Sequence, residues 1–132
     1  MAKREIKHPD KTVDTGAYSA GVEIEGWVYV SGQGPLDLRT GEVLHGSIEE
    51  ETRHTLANVE KILRAADCSL ADVVKCTVHL ADIRDFDAFN RAYAAYFKDV
   101  RPLPARTTVQ STLWDGIKIE IDAVARKRQE TP

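Results

Sequence analysis

Residues 47–66, SIEEETRHTLANVEKILRAA, declare an amphipathic helix more sharply than any other stretch of this chain declares its structure. Ser47 followed three residues later by Glu50 fits a capping box, in which two otherwise unpaired backbone N–H groups are satisfied reciprocally. Glu49, Glu50 and Glu51 set three carboxylates at the positive end of the helix dipole, and Lys61 and Arg64 set cations near the negative end. Ile48, Thr52, Leu56, Val59, Leu63 and Ala66 recur at helical spacing, which predicts a core-facing stripe. The helix should stop near Asp67.

One further segment has this period. From about Asp85 to Phe97, the residues Phe86, Phe89, Tyr93 and Phe97 line one side of a second helix. The remaining ordered segments alternate with period two. VEIEGWVYVSG, residues 22–32, reads as two short strands broken by a tight turn at Gly26. In the second strand Val28 and Val30 share one face, while Trp27, Tyr29 and Ser31 share the other. Residues 32–46 are rich in Gly, Pro and Asp and read as an ordered loop with a small hairpin around Thr40-Gly41. A strand follows at 72–80, with Cys76 in step with Val74, Val78 and Leu80, and Val73, Lys75, Thr77 and His79 on its second face. Two final strands, near 105–111 and 117–126, flank TLWDG, whose Asp-Gly pair predicts a tight hairpin that would make them neighbours.

The order is therefore β-β-α-β-α-β-β, an α+β fold. Two helices can cover only one face of such a sheet. Its other face mixes Val, Thr and aromatic residues with charges, a composition that burial against another subunit explains. A length of 132 residues suits one domain, read here as 1–132 with flexible ends at 1–5 and 127–132.

Net charge and cysteine usage exclude several function classes. At −3 overall, with basic residues scattered, the chain lacks the positive stripe that general phosphate attraction needs, so nucleic-acid binding is disfavoured. Cys68 and Cys76 match no metal or redox spacing, and Cys76 reads as a packed strand residue. No secretory segment or membrane-length apolar run is present, so the expected location is the cytoplasm and no membrane partner is expected. His8, His45, His54 and His79 lie in different elements without ligand spacing, so no metal is expected. Ser31 lacks the context of an activated serine nucleophile.

Arg106 and Glu120 remain as candidates for chemistry. Arg106 opens a strand behind RPLPA, where Pro102 and Pro104 fix the backbone, and a guanidinium so held suits bidentate capture of a carboxylate. Glu120 falls on the strand expected to be its neighbour across the hairpin. By pattern alone the better reading of the two is a cross-strand ion pair on a sheet surface.

The blocks AYSAGVEIEGWVYVSGQGPLD, RHTLANVEKILRAA, FDAFNRAYAAYF and RPLPARTTVQ…IKIEIDAVA resemble, in order and spacing, those of the RidA/YjgF family, the reactive intermediate deaminases. The resemblance runs from about residue 6 to 126. It implies a chorismate-mutase-like mixed β-sheet with both helices on one face, and a homotrimer with pockets between subunits. It also implies cofactor-free hydrolysis of enamine and imine acids such as 2-aminoacrylate to a 2-keto acid and ammonia, a C–N hydrolase reaction. In that pattern Arg106 grips the substrate carboxylate and Glu120 orients or deprotonates water. Tyr18, Ser31, Gly32, Asn90 and Thr108 line the pocket.

Departures from the family pattern sit around the pocket rather than in the Arg/Glu pair. Ala20-Gly21 follows the tyrosine-serine pair where many members have glutamine, and Gly34 replaces an apolar residue. Thr108 replaces a cysteine, and Trp114 stands where the hairpin often carries proline. The alternatives to an enzyme are a non-catalytic trimer of the same fold that binds small carboxylates or regulates, and a nucleic-acid or chaperone-type role, since relatives have been labelled translation inhibitors or ribonucleases.

Overall fold

The computed structural model describes residues 2–129. Of the ends expected to be flexible, Met1 and residues 130–132 lie outside the described residues. Eight strands and two α-helices follow one another: β1 Arg4–Ile6, β2 Gly21–Ile24, β3 Trp27–Gln33, β4 Leu36–Asp37, β5 Glu42–Val43, α1 Ile48–Ala65, β6 Val73–Leu80, α2 Phe86–Tyr96, β7 Ala105–Gln110 and β8 Ile119–Arg126. β4 and β5 form the small hairpin expected at Thr40-Gly41. The other six strands make one mixed sheet in the order β1-β2-β3-β8-β6-β7, in which only β6–β7 is parallel. Both helices pack on one face. This is the α+β, chorismate-mutase-like architecture the family blocks imply.

Local chemistry accounts for the elements. Ser47 caps α1 with both halves of the capping box formed: its hydroxyl accepts from the Glu50 N–H and its own N–H donates to the Glu50 carboxylate. Such a cap stabilises a helix by about 1 kcal/mol. The stripe Ile48, Thr52, Leu56, Val59, Leu63 and Ala66 is buried throughout. It meets Val28, Val30, Cys76, Val78, Ile119 and Ile121 from the sheet, with Phe89 of α2 and Phe97 at its C-terminal cap closing the core. Each fully buried Leu, Ile or Phe contributes about 1.5–3 kcal/mol. The β2–β3 turn puts Glu25 and Gly26 at φ 51° and 84°. Glycine suits position 26 because a φ of 84° is strained for residues with a Cβ, and the Arg126 guanidinium beside it donates to the Glu25 carbonyl.

Three expectations need correction. β1 was absent from the strand pattern, because REI is too short to show alternation, yet it pairs antiparallel with β2. In β6 the register shifts between Val73 and Lys75 against β8, so a bulge exchanges the two valines: Val73 is buried and Val74 is exposed. Most consequentially, β7 and β8 are not a hairpin. Asp115 and Gly116 do turn, at φ 54° and 73°, but β6 lies between the two strands. β7 reaches its place beside β6 by a parallel crossover through α2. The segment 111–118 then passes the end of β6, where the Ala81 N–H donates to the Lys118 carbonyl.

Candidate active site

Strand register decides where Arg106 and Glu120 lie. On opposite sides of β6, Arg106 stands beside Cys76 and Glu120 beside His79. Two strand spacings across and three residues along put their backbones roughly 14 Å apart. Their side chains also leave the sheet on opposite faces. Glu120 alternates with the buried Ile119 and Ile121 and so points away from the helices. Arg106 points toward them, since its guanidinium carbon sits 4.7, 5.1 and 5.6 Å from the ring centres of Tyr93, Phe89 and Phe86 on α2. The expected cross-strand pair does not exist within one chain.

Glu120 belongs to a cleft of about 750 Å³. Tyr18, Ser31, Gly32 and Glu120 all line it, so four of the seven sequence-derived residues come together. Gly32 is required by close approach: a Cβ there would lie 2.6 Å from the Glu120 Oε2. Ser31 is oriented by donating to the Ser19 carbonyl at 2.6 Å, and its N–H donates to the Ala20 carbonyl. The Tyr18 hydroxyl shares a 2.7 Å hydrogen bond with that of Thr15, and Lys11 Nζ lies 5.2 Å from its ring centre. The far wall is made by Val13, Leu36, Leu38 and Trp114.

Arg106 and Thr108 lie on the β7 edge, outside the cleft, and so does Asn90 on α2. Thr108 follows Arg106 by two residues and shares its face, while Asn90 stands exposed on α2, one helical turn beyond Phe86. Among the described residues Arg106 makes no ion pair and Glu120 no hydrogen bond. Each is therefore free for a ligand. The aromatic bed fixes the guanidinium without consuming its N–H donors. Beneath it, the Tyr93 hydroxyl is buried without a hydrogen-bond partner, and its contact with the Cys76 thiol falls outside bonding geometry. Burial pushes the Cys76 thiol and the Tyr93 hydroxyl above their ordinary pKa values.

Sequence reasoning missed Lys11, Val13, Leu36 and Leu38. The pattern L-D-L inside a loop otherwise made of Gly, Pro and polar residues was the available signal for the two leucines; Lys11 and Val13 carried none. The outer face holds another constellation. The His79 Nδ1 and Ser111 Oγ are 2.8 Å apart, and Asp122 Oδ2 is 3.9 Å from Nε2. Burial raises the Asp122 carboxyl above its ordinary pKa. The second distance exceeds a hydrogen bond, and this row does not line the cleft, so it is not an activated serine. Among the described residues no three His, Cys, Asp or Glu are placed to hold a metal ion, and no helix is long and apolar enough to cross a membrane.

The chain is an α+β protein whose mixed sheet is covered by helices on one face, with an unpaired carboxylate in a cleft on one side and an unpaired arginine on the other. The family model described as Endoribonuclease L-PSP matches residues 9–127. The human 2-iminobutanoate/2-iminopropanoate deaminase is 43% identical over 111 residues, which cover 83% of this chain and 80% of that protein. The crystal structure of the YjgF gene product of E. coli superposes with a TM-score of 0.86 at 35% identity, over 95% of this chain and 99% of that one. That of E. coli TdcF with bound serine does so with a TM-score of 0.87 at 32% identity, over the same shares. The chain belongs to the RidA/YjgF family.

Proposed function

We propose that this chain is a cofactor-free hydrolytic deaminase of reactive 2-imino and enamine acids, working in pockets shared between the subunits of a homotrimer. The observation that carries the reading is the separation of two unpaired groups: an arginine on one sheet face and a glutamate in a cleft on the other. Neither has a partner within its own chain, and one subunit's Arg106 facing the next subunit's cleft supplies both to a single substrate. The deaminase named among the relatives, and the relative with bound serine, support a small acid as the ligand.

The residue types suit the reaction. An enamine acid takes up a proton at its β-carbon to become the imine, whose C=N carbon is electrophilic. Arg106 holds the carboxylate in a bidentate grip, so water attacks a fixed carbon rather than a tumbling one. Glu120 orients that water and takes its proton as the new C–O bond forms. Proton return to nitrogen then lets the C–N bond break, giving a 2-keto acid and ammonia. Tyr18, Ser31 and Gly32 shape the pocket on the Glu120 side, and Asn90 and Thr108 shape it on the Arg106 side.

The test generates imines with an amino-acid oxidase in the presence of semicarbazide, which traps imine that has not been hydrolysed. Added protein should lower the trapped yield. Glu120→Gln should lower kcat by a factor on the order of 10²–10⁴, the span of general-base catalysis. Arg106→Ala should lose at least tenfold in kcat/KM, since charged hydrogen bonds contribute about 1.5–3 kcal/mol. Wild-type protein that leaves the trapped yield unchanged but binds 2-keto acids by calorimetry would instead establish a non-catalytic carboxylate-binding protein.

A further inference from the structure

We propose that Lys11 sets substrate choice, and that the imino acids this chain handles carry a second, distal carboxylate that pairs with it. The proposal rests on the deaminase reading of the same site and adds its substrate class. Lys11 is the one basic side chain lining the Glu120 cleft among the described residues. It is partly buried, yet it makes neither an ion pair nor a side-chain hydrogen bond among them. Asp10, its neighbour in sequence, is taken by Arg39 at 3.2 Å and Lys61 at 2.6 Å. Asp14, also in the cleft, accepts the Gly16 N–H, and neither it nor Glu120 comes within ion-pairing distance of the ammonium.

What holds the ammonium is the face of an aromatic ring. Its Nζ lies 5.2 Å from the ring centre of Tyr18, whose hydroxyl shares a 2.7 Å hydrogen bond with that of Thr15. The backbone beneath is tied as well: the Lys11 N–H donates to the His8 carbonyl and the Thr12 N–H to the Leu38 carbonyl. A cation–π contact orients an ammonium but leaves its N–H donors open to an acceptor.

Charge balance supplies the second argument. In the proposed pocket one subunit's Arg106 takes the α-carboxylate, and that subunit covers the cleft of the next. A monocarboxylate then leaves Lys11 as a desolvated cation without a counter-charge, which is unfavourable. A second carboxylate on the substrate supplies that counter-charge from inside the pocket. A single ammonium balances a singly charged carboxylate, whereas the nearly double charge of a phosphate leaves part of itself over.

The test compares imines made in situ by amino-acid oxidases from glutamate and from alanine, with semicarbazide as the trap. Wild-type protein should show a kcat/KM for the glutamate-derived imine at least about tenfold above that for the alanine-derived one, the scale of one charged hydrogen bond. Lys11→Met keeps an unbranched apolar stem beside Tyr18 and removes the charge, so it should lower that ratio about tenfold. Lys11→Glu should lower it further through repulsion, and Lys11→Arg should retain most of it. The fold has no ion pair or side-chain hydrogen bond at stake, so circular dichroism of all three should match the wild type. A glutamate-derived imine turned over no better than the alanine-derived one, or a ratio that Lys11→Met leaves in place, overturns the inference and leaves the deaminase reading standing. No acceleration of either imine ends that reading, and this inference with it.

Discussion

Arg106 is held by aromatic rings rather than by an acidic partner among the described residues. The ring centres of three aromatic side chains lie 4.7–5.6 Å from its guanidinium carbon, and its N–H fork makes no hydrogen bond among the described residues. Lysine cannot reproduce this, because an ammonium has neither the plane nor the fork. Arg106→Lys is therefore expected to lose tenfold or more in kcat/KM despite the conserved charge, read in the trapping assay (about 1.4 kcal/mol or more). The bed includes a flaw, since the Tyr93 hydroxyl is buried with no hydrogen-bond partner. Replacing an unsatisfied polar group by an apolar one of the same shape is neutral or stabilising. Tyr93→Phe should thus leave stability unchanged or raise it by up to about 1 kcal/mol in denaturant unfolding. A clear loss would mean that the hydroxyl is bonded after all. Phe86, Phe89 and Tyr93 were legible in the sequence as a helix stripe, but nothing in that period told that the stripe would extend past the core and receive a guanidinium.

Among the elements, α1 does more than cover the sheet, because Asn58 fastens the cleft wall to it. His8 is buried and its Nδ1 accepts the Asp10 N–H, so the ring proton is on Nε2 and donates to Asn58 Oδ1. Asn58 Nδ2 in turn donates to the carbonyls of Gly34 and Leu36, which belong to the segment lining the cleft. Asn58→Ala leaves the His8 N–H without its partner and takes a donor from each of the two carbonyls, of which Gly34's still accepts from the Leu36 N–H, and is expected to cost about 1–3 kcal/mol in denaturant unfolding. Burial, the largest cause, lowers the His8 pKa; Lys61 and Lys11 lower it further, against the Asn58 hydrogen bond and Asp10, which raise it. The unfolded chain then binds a proton near pH 6.5 that the folded chain refuses. Stability from this histidine is present above pH 6.5 and is lost as pH falls through the folded pKa. Unfolding free energy should decline between pH 7 and 5, and His8→Gln should flatten that slope. Both helices and most strands could be read from their periods. Strand adjacency could not: Asp115-Gly116 is a local turn signal, whereas the crossover through α2 that puts β6 between β7 and β8 is a property of the whole sheet.

For the molecule as a whole, candidate site residues could be proposed from the sequence but not assembled, because assembly requires knowing which face each strand presents and what covers it. Trp27, Tyr29, Val74 and Val109 stand exposed on or beside the uncovered side of the sheet, and the Asp122 carboxyl there is already pushed up by burial. In the proposed trimer, a second subunit packed on that side would remove this apolar surface from water and bring a foreign Arg106 within reach of Glu120. The idea has a sharp consequence for mixed assemblies. In a closed ring of three, let one kind of subunit carry Arg106→Ala and the other Glu120→Gln. Each pocket takes its arginine from one subunit and its glutamate from the next, so every ring containing both kinds has a single intact junction. Equal mixing by co-refolding should then restore about a quarter of the wild-type sites, the product of three mixed rings in four and one good pocket in three. Neither variant alone should show activity above background. A site built within one chain gives the opposite result, since no mixture can place an intact Arg106 and an intact Glu120 on the same subunit. Activity that stays at the level of the parent variants, while light scattering shows that trimers have exchanged subunits, would rule out the shared pocket.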